Sequence, residues 1–281
     1  MKPEDEKLGL IAGGDRFPLL LARTARQMGV KEIVAVCFPG QTSPRIEEVA
    51  DKTFWINIGQ FGKLIKTLKN NGVRRAVMAG RIDPAIVIKK VRLDLKGLMT
   101  LPKIKDRRAD SILKVVAEEL EAAGVSLVDS TLYLKPVLPG AGVLSSRSPK
   151  RGEKEDIKFG WEIAKGIGKL DIGQTVVVKQ KAVVAVEAIE GTDRVIRRGG
   201  DLAGPGTVVV KVCKPEQDMR FDVLTIGLKT MESLLEAGSS VLAVEAEKTL
   251  FLDREEALGK ADEAGIAIVA VDADSLNFSS L

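Results

Sequence analysis

Residues 8–29, LGLIAGGDRFPLLLARTARQMG, decide the fold of the first half of the chain. They begin with a short apolar run that ends at Gly13 and Gly14, and after Pro18 the apolar residues recur at the spacing of a helix. A short apolar run bounded by glycine is typical of a buried parallel strand, because helices cover both faces of such a strand. We therefore predict that the chain opens with a strand, a tight turn and a helix.

The same alternation continues as far as residue 124. Apolar runs that predict strands lie at 32–38, 53–58 and 74–80, and periodic runs that predict helices lie at 61–72 and 109–124. Strands that alternate with helices form a parallel sheet. We therefore predict that residues 1–135 form a Rossmann-like α/β domain with a parallel sheet.

The second half of the chain has a different pattern. Residues 136–152 are rich in Pro, Gly and Ser and are predicted to be a linker. Residues 153–281 begin with a helical run and then become rich in strands, with apolar runs at 175–190, 207–213, 241–253 and 266–272. A length of 281 residues also favours two domains. We predict a mixed α/β C-terminal domain that carries the catalytic site.

The chain has no histidine. This excludes Ser-His-Asp and Cys-His triads and metal sites with imidazole ligands. Acid-base or metal chemistry must then fall on Asp and Glu, with Lys, Arg, Tyr or water in support. Carboxylate ligands without imidazole or thiolate favour a hard cation, and we predict Mg²⁺.

Cellular location is predicted from the cysteines and from the apolar runs. Cys37 and Cys213 each end a strand-like run, so we expect two small buried residues in a reducing compartment, without a function. The N-terminus is charged, and no run approaches the roughly 18 apolar residues of a membrane span. We expect a cytoplasmic protein.

Positive charge is concentrated in residues 89–108, which contain eight basic and two acidic residues. The basic residues alternate with apolar ones, but not with aromatic ones. This pattern suits an anionic membrane surface or an amphiphilic ligand better than nucleic acid, whose bases stack on aromatic rings. We expect no nucleic acid partner and a peripheral contact with the inner membrane surface. A solvated loop and helix start is the alternative.

Charged residues occupy every second position of residues 213–227, CKPEQDMRFDVLTIG. They are Lys214, Glu216, Asp218, Arg220 and Asp222. On an extended chain they would share one face, where they could form a cross-strand ladder of salt bridges. Pro215 instead favours a loop that presents side chains to a site.

That loop would hold the parts of a phosphoryl-transfer site. Lys214 and Arg220 could bind phosphate oxygens, while Asp218 and Asp222 could hold Mg²⁺ or orient water. Glu216 would be a solvated bystander.

A second acidic motif lies within residues 186–201, VEAIEGTDRVIRRGGD. Glu190 and Asp193 are candidate metal ligands, and Thr192 lies between them. A surface helix capped by Thr192 or Asp193 is the alternative. The tetrapeptide AVEA ends here and recurs at 243–246, which would bring Glu187 and Glu245 to comparable places.

Two turns and one helix start hold further polar candidates. The N–H groups of Gly13 and Gly14 could approach a phosphate at a helix N-terminus, although tight turns use glycine anyway. Gln174 follows Gly173 at a strand entry, where its amide could bind a base or sugar, or could simply belong to a turn. Asp110 is interpreted as an N-cap or a first-turn charge.

Five segments together resemble the LpxI-type UDP-2,3-diacylglucosamine pyrophosphatases of bacterial lipid A synthesis. They are LGLIAGGDRFP, KLDIGQTVVV, AVVAVEAIEGTD, VKVCKPEQDMRFDVLTIG and VLAVEAEKTLFLD, in this order over nearly the whole chain. The resemblance implies a Rossmann-like N-terminal domain, a family-specific C-terminal domain, an enclosed substrate and a homodimer. It also implies Mg²⁺-dependent hydrolysis to UMP and 2,3-diacylglucosamine 1-phosphate.

The resemblance also implies roles for single residues. The important aspartate of the family falls on Asp222. Its glycine-rich turn falls on Gly13 and Gly14, its GQ motif on Gly173 and Gln174, and its EGTD motif on residues 190–193. With the charged loop considered as well, the predicted catalytic residues are Asp222, Asp218, Arg220 and Lys214; the predicted substrate-binding residues are Gly13, Gly14, Gln174, Thr192 and Gln217; and the predicted metal ligands are Asp222, Asp193 and Glu190.

This chain departs from the family pattern at Leu224, where proline is common, and at Glu247, where glycine is common. Leu224 loosens the backbone beyond Asp222, and Glu247 adopts positive φ less easily than glycine does.

Two other functions stay open. A non-catalytic UDP-sugar-binding regulatory protein would use the same site. An NAD(P)-dependent oxidoreductase would need an acidic residue after the second strand to bind ribose, and the segment VCFPGQ provides none.

Overall fold

The computed structural model describes residues 7–82, 93–100, 102, 109–215 and 217–277. The chain divides into two compact units. The N-terminal unit comprises Met1–Pro136 and Met219–Phe221, and the C-terminal unit comprises Val137–Asp218 and Asp222–Leu281.

An all-parallel sheet forms the centre of the N-terminal unit. Its strands are β1 (Lys7–Ala12), β2 (Glu32–Cys37), β3 (Lys52–Trp55), β4 (Arg75–Ala79) and β5 (Ser126–Leu127), in the order β3-β2-β1-β4-β5. The α-helices are α1 (Phe17–Gln27), α2 (Phe61–Asn70), α3 (Leu95–Thr100) and α4 (Ala109–Ala122), and 3₁₀ helices lie at Pro44–Glu48 and Ser130–Tyr133. This is the strand order of a doubly wound fold, whose direction reverses between β1 and β4. The predicted Rossmann-like domain is confirmed.

A mixed sheet of six strands forms the centre of the C-terminal unit. Its strands are β6 (Gly142–Val143), β7 (Thr175–Lys179), β8 (Ala182–Val186), β9 (Val208–Lys211), β11 (Val241–Glu245) and β13 (Ala267–Val271), in the order β6-β13-β11-β9-β7-β8. A separate parallel pair joins β10 (Leu224–Ile226) to β12 (Thr249–Phe251). The helices are α5 (Arg151–Lys169), α6 (Thr192–Ala203), α7 (Leu228–Glu236) and α8 (Arg254–Glu263), followed by a 3₁₀ helix at Ser275–Asn277. The predicted mixed α/β class is confirmed.

Helices cover both faces of this sheet. On one face, Ile157 and Trp161 of α5 pack against Val178 and Val210. On the other, side chains of α6, α7 and α8 pack against the alternate residues of the same strands, including Val177. The central strands are therefore buried on both sides, which explains their continuous apolar sequences.

The apolar run at 175–190 is a hairpin and not one strand. β7 and β8 pair antiparallel around Gln180 and Lys181, whose φ angles are 51° and 59°. The Asp156 carboxylate of α5 accepts both backbone N–H groups, at 2.9 and 2.6 Å. The turn uses neither Gly nor Asn, because a carboxylate from elsewhere in the chain stabilises it.

One other apolar run differs from its predicted local structure, and two motifs each adopt one of their predicted alternatives. Residues 241–253 form two strands, β11 and β12, separated by a turn at Glu247, whose φ is 58°. The described residues of 213–223 form a loop, so the predicted ladder on a strand is wrong and the loop alternative is confirmed. Asp110 lies in the first turn of α4.

The stretch 136–152 is more ordered than its composition indicates. Pro136 is the last residue of the first segment of the N-terminal unit. Gly142 and Val143 pair with β13 as an edge strand. The Arg147 guanidinium binds the Glu153 carboxylate at 2.6 Å. Most of the predicted linker therefore belongs to the C-terminal unit. Its composition did not reveal the edge strand, because that strand has only two paired residues among residues that favour turns.

Candidate active site

Several polar motifs meet at one edge of the C-terminal sheet. β9, β11 and β13 are parallel, and β8 runs in the same direction because both β8 and β9 pair antiparallel with β7. The residues that follow these strands therefore lie along the same edge as the start of β7. In α/β folds, ligands bind at the carboxyl ends of the parallel strands. We call this edge the carboxyl edge.

Glu187 joins two of the predicted motifs at the carboxyl edge. Its Oε1 accepts the Thr192 hydroxyl at 3.0 Å, and its Oε2 accepts the Gln174 N–H at 3.3 Å. A Cβ added at Gly173 would collide with the Glu187 carbonyl oxygen, so the two chain segments approach as only glycine allows. The GQ and EGTD motifs are therefore neighbours, and the buried Glu187 carboxylate holds them together.

The side chain of Gln174 has a free acceptor. Within the part of the chain that the structure describes, its Oε1 atom is buried without a hydrogen-bond partner. A buried polar atom of this kind usually binds water or a ligand, because leaving it unsatisfied costs free energy. The geometry thus favours a binding role for Gln174.

Thr192 begins helix α6 but does not cap it. The N-cap is Gly191, at φ 83°, and no side chain caps the helix. The alternative of a helix capped by Thr192 or Asp193 is therefore wrong. Because the N-cap is a glycine, no N-cap side chain occupies the positive end of the helix dipole at the start of α6.

Glu190 and Asp193 lie in different settings. Glu190 Oε1 binds the Arg198 guanidinium at 2.5 Å, and its Oε2 accepts the Ala188 N–H at 3.0 Å. Its own backbone N–H and Arg198 hold the pKa of the Glu190 carboxyl below its ordinary value. Asp193 lies in the first turn of α6. Glu190 thus stabilises the turn that leads into α6.

The loop 214–222 is held together by Gln217. Its Oε1 accepts the Lys214 N–H at 2.9 Å, and its Nε2 donates to the Asp222 carbonyl at 2.8 Å. The Asp222 N–H donates to the Asp218 carbonyl at 3.0 Å. The Lys214 ammonium binds Asp171 at 2.6 Å. Lys214, Gln217, Asp218 and Asp222 are therefore brought together, with Gln217 as an internal brace.

Charge at Asp222 also acts on Cys213, the residue before the loop. Burial, then the charge of Glu245 and a smaller contribution from Asp222, raise the pKa of the Cys213 thiol to about 12. Burial, with a contribution from Glu47, raises the pKa of Cys37 to about 12. Both thiols are buried and free, as predicted.

Arg220 belongs to the segment of the loop that packs in the N-terminal unit. The Met219 carbonyl accepts the Ser130 N–H at 3.4 Å, and the Arg220 carbonyl accepts the Ser130 hydroxyl at 3.4 Å. Phe221 packs against the core of that unit. The backbone of Arg220 is therefore fixed there.

The predicted metal ligands do not form a ready-made cage. Among the described residues, no group of three or more Asp, Glu or Cys side chains could hold a metal ion. Mg²⁺ usually binds one or two carboxylates and takes its other ligands from water and substrate phosphates. A site of that open kind needs only one or two of the predicted carboxylates, and the metal ligands stay a prediction.

Gly13 and Gly14 lie at the carboxyl end of β1 in the N-terminal unit. Their N–H groups donate to the carbonyls of Ala79 and Arg81, at 2.7 and 2.6 Å. A Cβ at Gly13 would lie 2.6 Å from the Gly80 carbonyl oxygen. These glycines therefore let two backbone segments pack closely. Their substrate-binding role stays a prediction, and other groups of the turn would have to bind the phosphate because both N–H groups already donate to carbonyls.

The basic segment 89–108 is only partly described. Residues 89–92, 101 and 103–108 lie outside the described residues. The described part is mainly α3, which buries Gly97 and Thr100 and exposes Leu95, Leu98 and Met99. No described helix is both long and apolar enough to cross a membrane.

Fold and site together define a class: a two-domain α/β protein whose polar loop and helix start lie at the carboxyl edge of the C-terminal sheet. The family models described as LpxI N-terminal domain and LpxI C-terminal domain match residues 7–137 and 140–269. The chain belongs to the LpxI family.

One relative matches nearly the whole chain. The UDP-2,3-diacylglucosamine pyrophosphatase LpxI of Caulobacter vibrioides is 32% identical over 277 residues, which are 95% of this chain and 98% of the relative.

Two solved structures match this chain weakly. The biotin carboxylase domain of Hydrogenobacter thermophilus 2-oxoglutarate carboxylase is 13% identical at a TM-score of 0.26, covering 63% of this chain and 35% of that one. The glycinamide-RNase-transformylase T of Mycobacterium tuberculosis is 16% identical at a TM-score of 0.24, covering 65% and 44%. Similarity at this level carries no argument.

Proposed function

We propose that this protein hydrolyses the pyrophosphate of UDP-2,3-diacylglucosamine, giving UMP and 2,3-diacylglucosamine 1-phosphate. The observation that carries the proposal is the match to the Caulobacter vibrioides enzyme over 95% of the chain, within which Lys214, Gln217, Asp218 and Asp222 form one braced loop. The oxygen of a water molecule would form a new bond to one phosphorus while the bond from that phosphorus to the bridging oxygen breaks. The bridging oxygen would leave with the other phosphate.

Each candidate catalytic or binding residue has a proposed role. Asp222 orients the attacking water and takes its proton, and Asp218 assists it. Lys214 and Arg220 offset the negative charge that the phosphates carry in the transition state. The amide oxygen of Gln174 and the start of α6 at Thr192 bind polar parts of the substrate, because both offer hydrogen-bonding groups that the fold leaves available.

Mg²⁺ is the proposed cofactor. When bound beside Asp222, it would offset phosphate charge and polarise a phosphoryl oxygen. Asp193 and Glu190 are retained as the other proposed ligands, although the pairing of Glu190 with Arg198 favours Asp222 as the main one.

The test is release of UMP from UDP-2,3-diacylglucosamine by the purified protein with Mg²⁺. We expect UMP and 2,3-diacylglucosamine 1-phosphate in equal amounts, and loss of activity in excess EDTA with recovery on adding Mg²⁺. No release of UMP under any divalent cation would contradict the proposed reaction. Full activity in EDTA would contradict only the role of Mg²⁺.

We further propose that the protein is cytoplasmic, works as a homodimer and touches an anionic membrane surface. The acyl chains of its substrate would lie in a membrane, and α3 exposes three apolar side chains beside a basic stretch. Leu98→Asp should weaken co-sedimentation with phosphatidylglycerol vesicles. Leu170→Asp, at a comparably exposed leucine of the C-terminal unit, should leave it unchanged. Equal binding by both variants would contradict the contact, and sedimentation equilibrium tests the dimer.

A further inference from the structure

We propose that Glu245 and Lys165 are positioning residues for the proposed reaction and act through the backbone of Cys213; this inference rests on the proposed function. Cys213 is the last residue before the loop 214–222. Its N–H donates to Glu245 Oε2 at 2.8 Å, and its carbonyl accepts the Lys165 ammonium at 3.0 Å. The ammonium also binds Glu245 Oε2 at 2.5 Å. Both polar backbone groups of Cys213 are thus held by one ion pair.

Rigid elements hold both members of this pair. Glu245 is the last residue of β11 and is 5% exposed. Lys165 lies on α5, with its ammonium 5.1 Å from the centre of the Trp161 ring. The Lys165 side chain is 26% exposed and that of Glu245 is 6% exposed, so this ion pair is screened less by water than a surface pair is. Moving Lys165 would leave the buried Glu245 Oε2 without its cation.

The Glu245 carboxylate stays charged at neutral pH. Burial alone would raise the pKa of the Glu245 carboxyl. The hydrogen bonds from Lys165 and Lys248, with that from the Cys213 N–H, outweigh burial and hold the pKa below its ordinary value of 4.5. The Glu245 carboxylate can therefore accept the Cys213 N–H at neutral pH.

Hydrogen bonds extend from Cys213 to the proposed catalytic aspartate. Lys214 follows Cys213 and donates its N–H to Gln217, and Gln217 donates to the Asp222 carbonyl. A shift at Cys213 would therefore move the loop that carries Asp222. Displacements of about 1 Å at a catalytic group can cost about 100-fold in rate.

The chain offers two matched controls. Lys248 binds the other oxygen of the same carboxylate, Glu245 Oε1, at 2.8 Å. Lys248→Met therefore also removes a cation that pairs with Glu245, but one that does not contact Cys213 in this way. Asp156 is a buried carboxylate on α5 that holds the backbone of the β7–β8 turn. Asp156→Asn therefore disturbs a similar interaction outside the carboxyl edge.

The kinetic experiment compares kcat and KM for UMP release among these variants. We expect Lys165→Met and Glu245→Gln to lower kcat by about 10- to 100-fold with KM within about 3-fold, and Lys165→Arg to recover most of the loss. Lys248→Met and Asp156→Asn should stay within about 3-fold of the wild type. The inference would be overturned if either control variant, Lys248→Met or Asp156→Asn, lost as much kcat as Lys165→Met does. If Lys165→Met does not fold, Lys165→Gln takes its place.

Hydrogen exchange provides a readout that is independent of activity. In Lys165→Met and Glu245→Gln, amides of residues 213–223 should exchange at least about 10-fold faster than in the wild type, and in Asp156→Asn the faster exchange should be confined to the β7–β8 turn. Unchanged exchange of residues 213–223 would overturn the inference. The two proposals can fail separately. If the wild type releases no UMP but the variants show this exchange pattern, the proposed function is contradicted, while the role of Glu245 and Lys165 in fixing the Cys213 backbone is supported.

Discussion

The side-chain amide of Gln217 donates a hydrogen bond of 2.8 Å to the carbonyl oxygen of Asp222. Its oxygen accepts the Lys214 N–H, so one side chain joins the two ends of the proposed catalytic loop. We expect Gln217→Ala to lower kcat for UMP release by about 10- to 100-fold with little change in KM, because the loop loses its brace.

The kinetic constants distinguish this brace from the substrate-binding role that the sequence implies for Gln217. A glutamine that binds substrate directly would raise KM when removed. Gln27→Ala, at an exposed glutamine of α1, is the control and should leave both constants unchanged. A rise in KM with kcat intact would contradict the brace.

Gly173 should not tolerate a side chain. Gly173→Ala places a methyl group against the Glu187 carbonyl, so we expect a loss of about 1 to 3 kcal/mol in the free energy of unfolding and a lower activity. Gly166→Ala, in the last turn of α5 with nothing within 4 Å of the new methyl group, should raise the free energy of unfolding by about 0.5 kcal/mol. Urea denaturation measures both, and a neutral Gly173→Ala would contradict the close approach.

Glu247 carries a conformational cost at a position where the family commonly has glycine. Its φ is 58°, in the left-handed region. Glu247→Gly should therefore raise the free energy of unfolding by about 0.5 to 1 kcal/mol, less than the full left-handed cost because glycine is more flexible when unfolded. Glu247→Ala keeps the backbone cost and should give no gain. Equal effects of the two variants would show that the side chain, and not φ, matters.

The two cysteines should be unreactive in the folded protein. Burial raises the pKa of both Cys37 and Cys213 to about 12, so at pH 8 neither thiol forms appreciable thiolate, which is the reactive species. We expect labelling by iodoacetamide to be at least about 100-fold slower in the native state than in urea. Ser148→Cys, at an exposed position, should label quickly and serves as the control. Fast native labelling of Cys213 would show that the start of the loop opens.

The N-terminal domain could be predicted from the sequence because its strands and helices alternate regularly. Each short apolar run before Gly80 became a parallel strand. The C-terminal domain was harder, since apolar residues run through turns. The β7–β8 turn depends on Asp156, which is distant in sequence, and no local pattern marks such support.

The candidate site could be predicted in part. The motifs named Gln174, Thr192, Lys214 and Asp222, and the AVEA repeat pointed to Glu187 and Glu245 without showing what they bind. Lys165 was missed because it lies within a regular helical run, where a lysine usually faces solvent. The partners of Glu187, Glu245 and Lys165 lie in distant parts of the sequence, so the spacing of residues along the chain could not predict them.

The measurement that tests the central claim most directly is UMP release by Asp222→Asn beside the wild type. The substitution keeps the size and the backbone of Asp222 but removes the charge that orients water, so we expect kcat to fall by about 100- to 10,000-fold, the usual contribution of a general base. The melting temperature should change little. A wild type that releases UMP with Mg²⁺ and an Asp222→Asn variant that folds but does not would support the account. Full activity in a folded Asp222→Asn variant would contradict it.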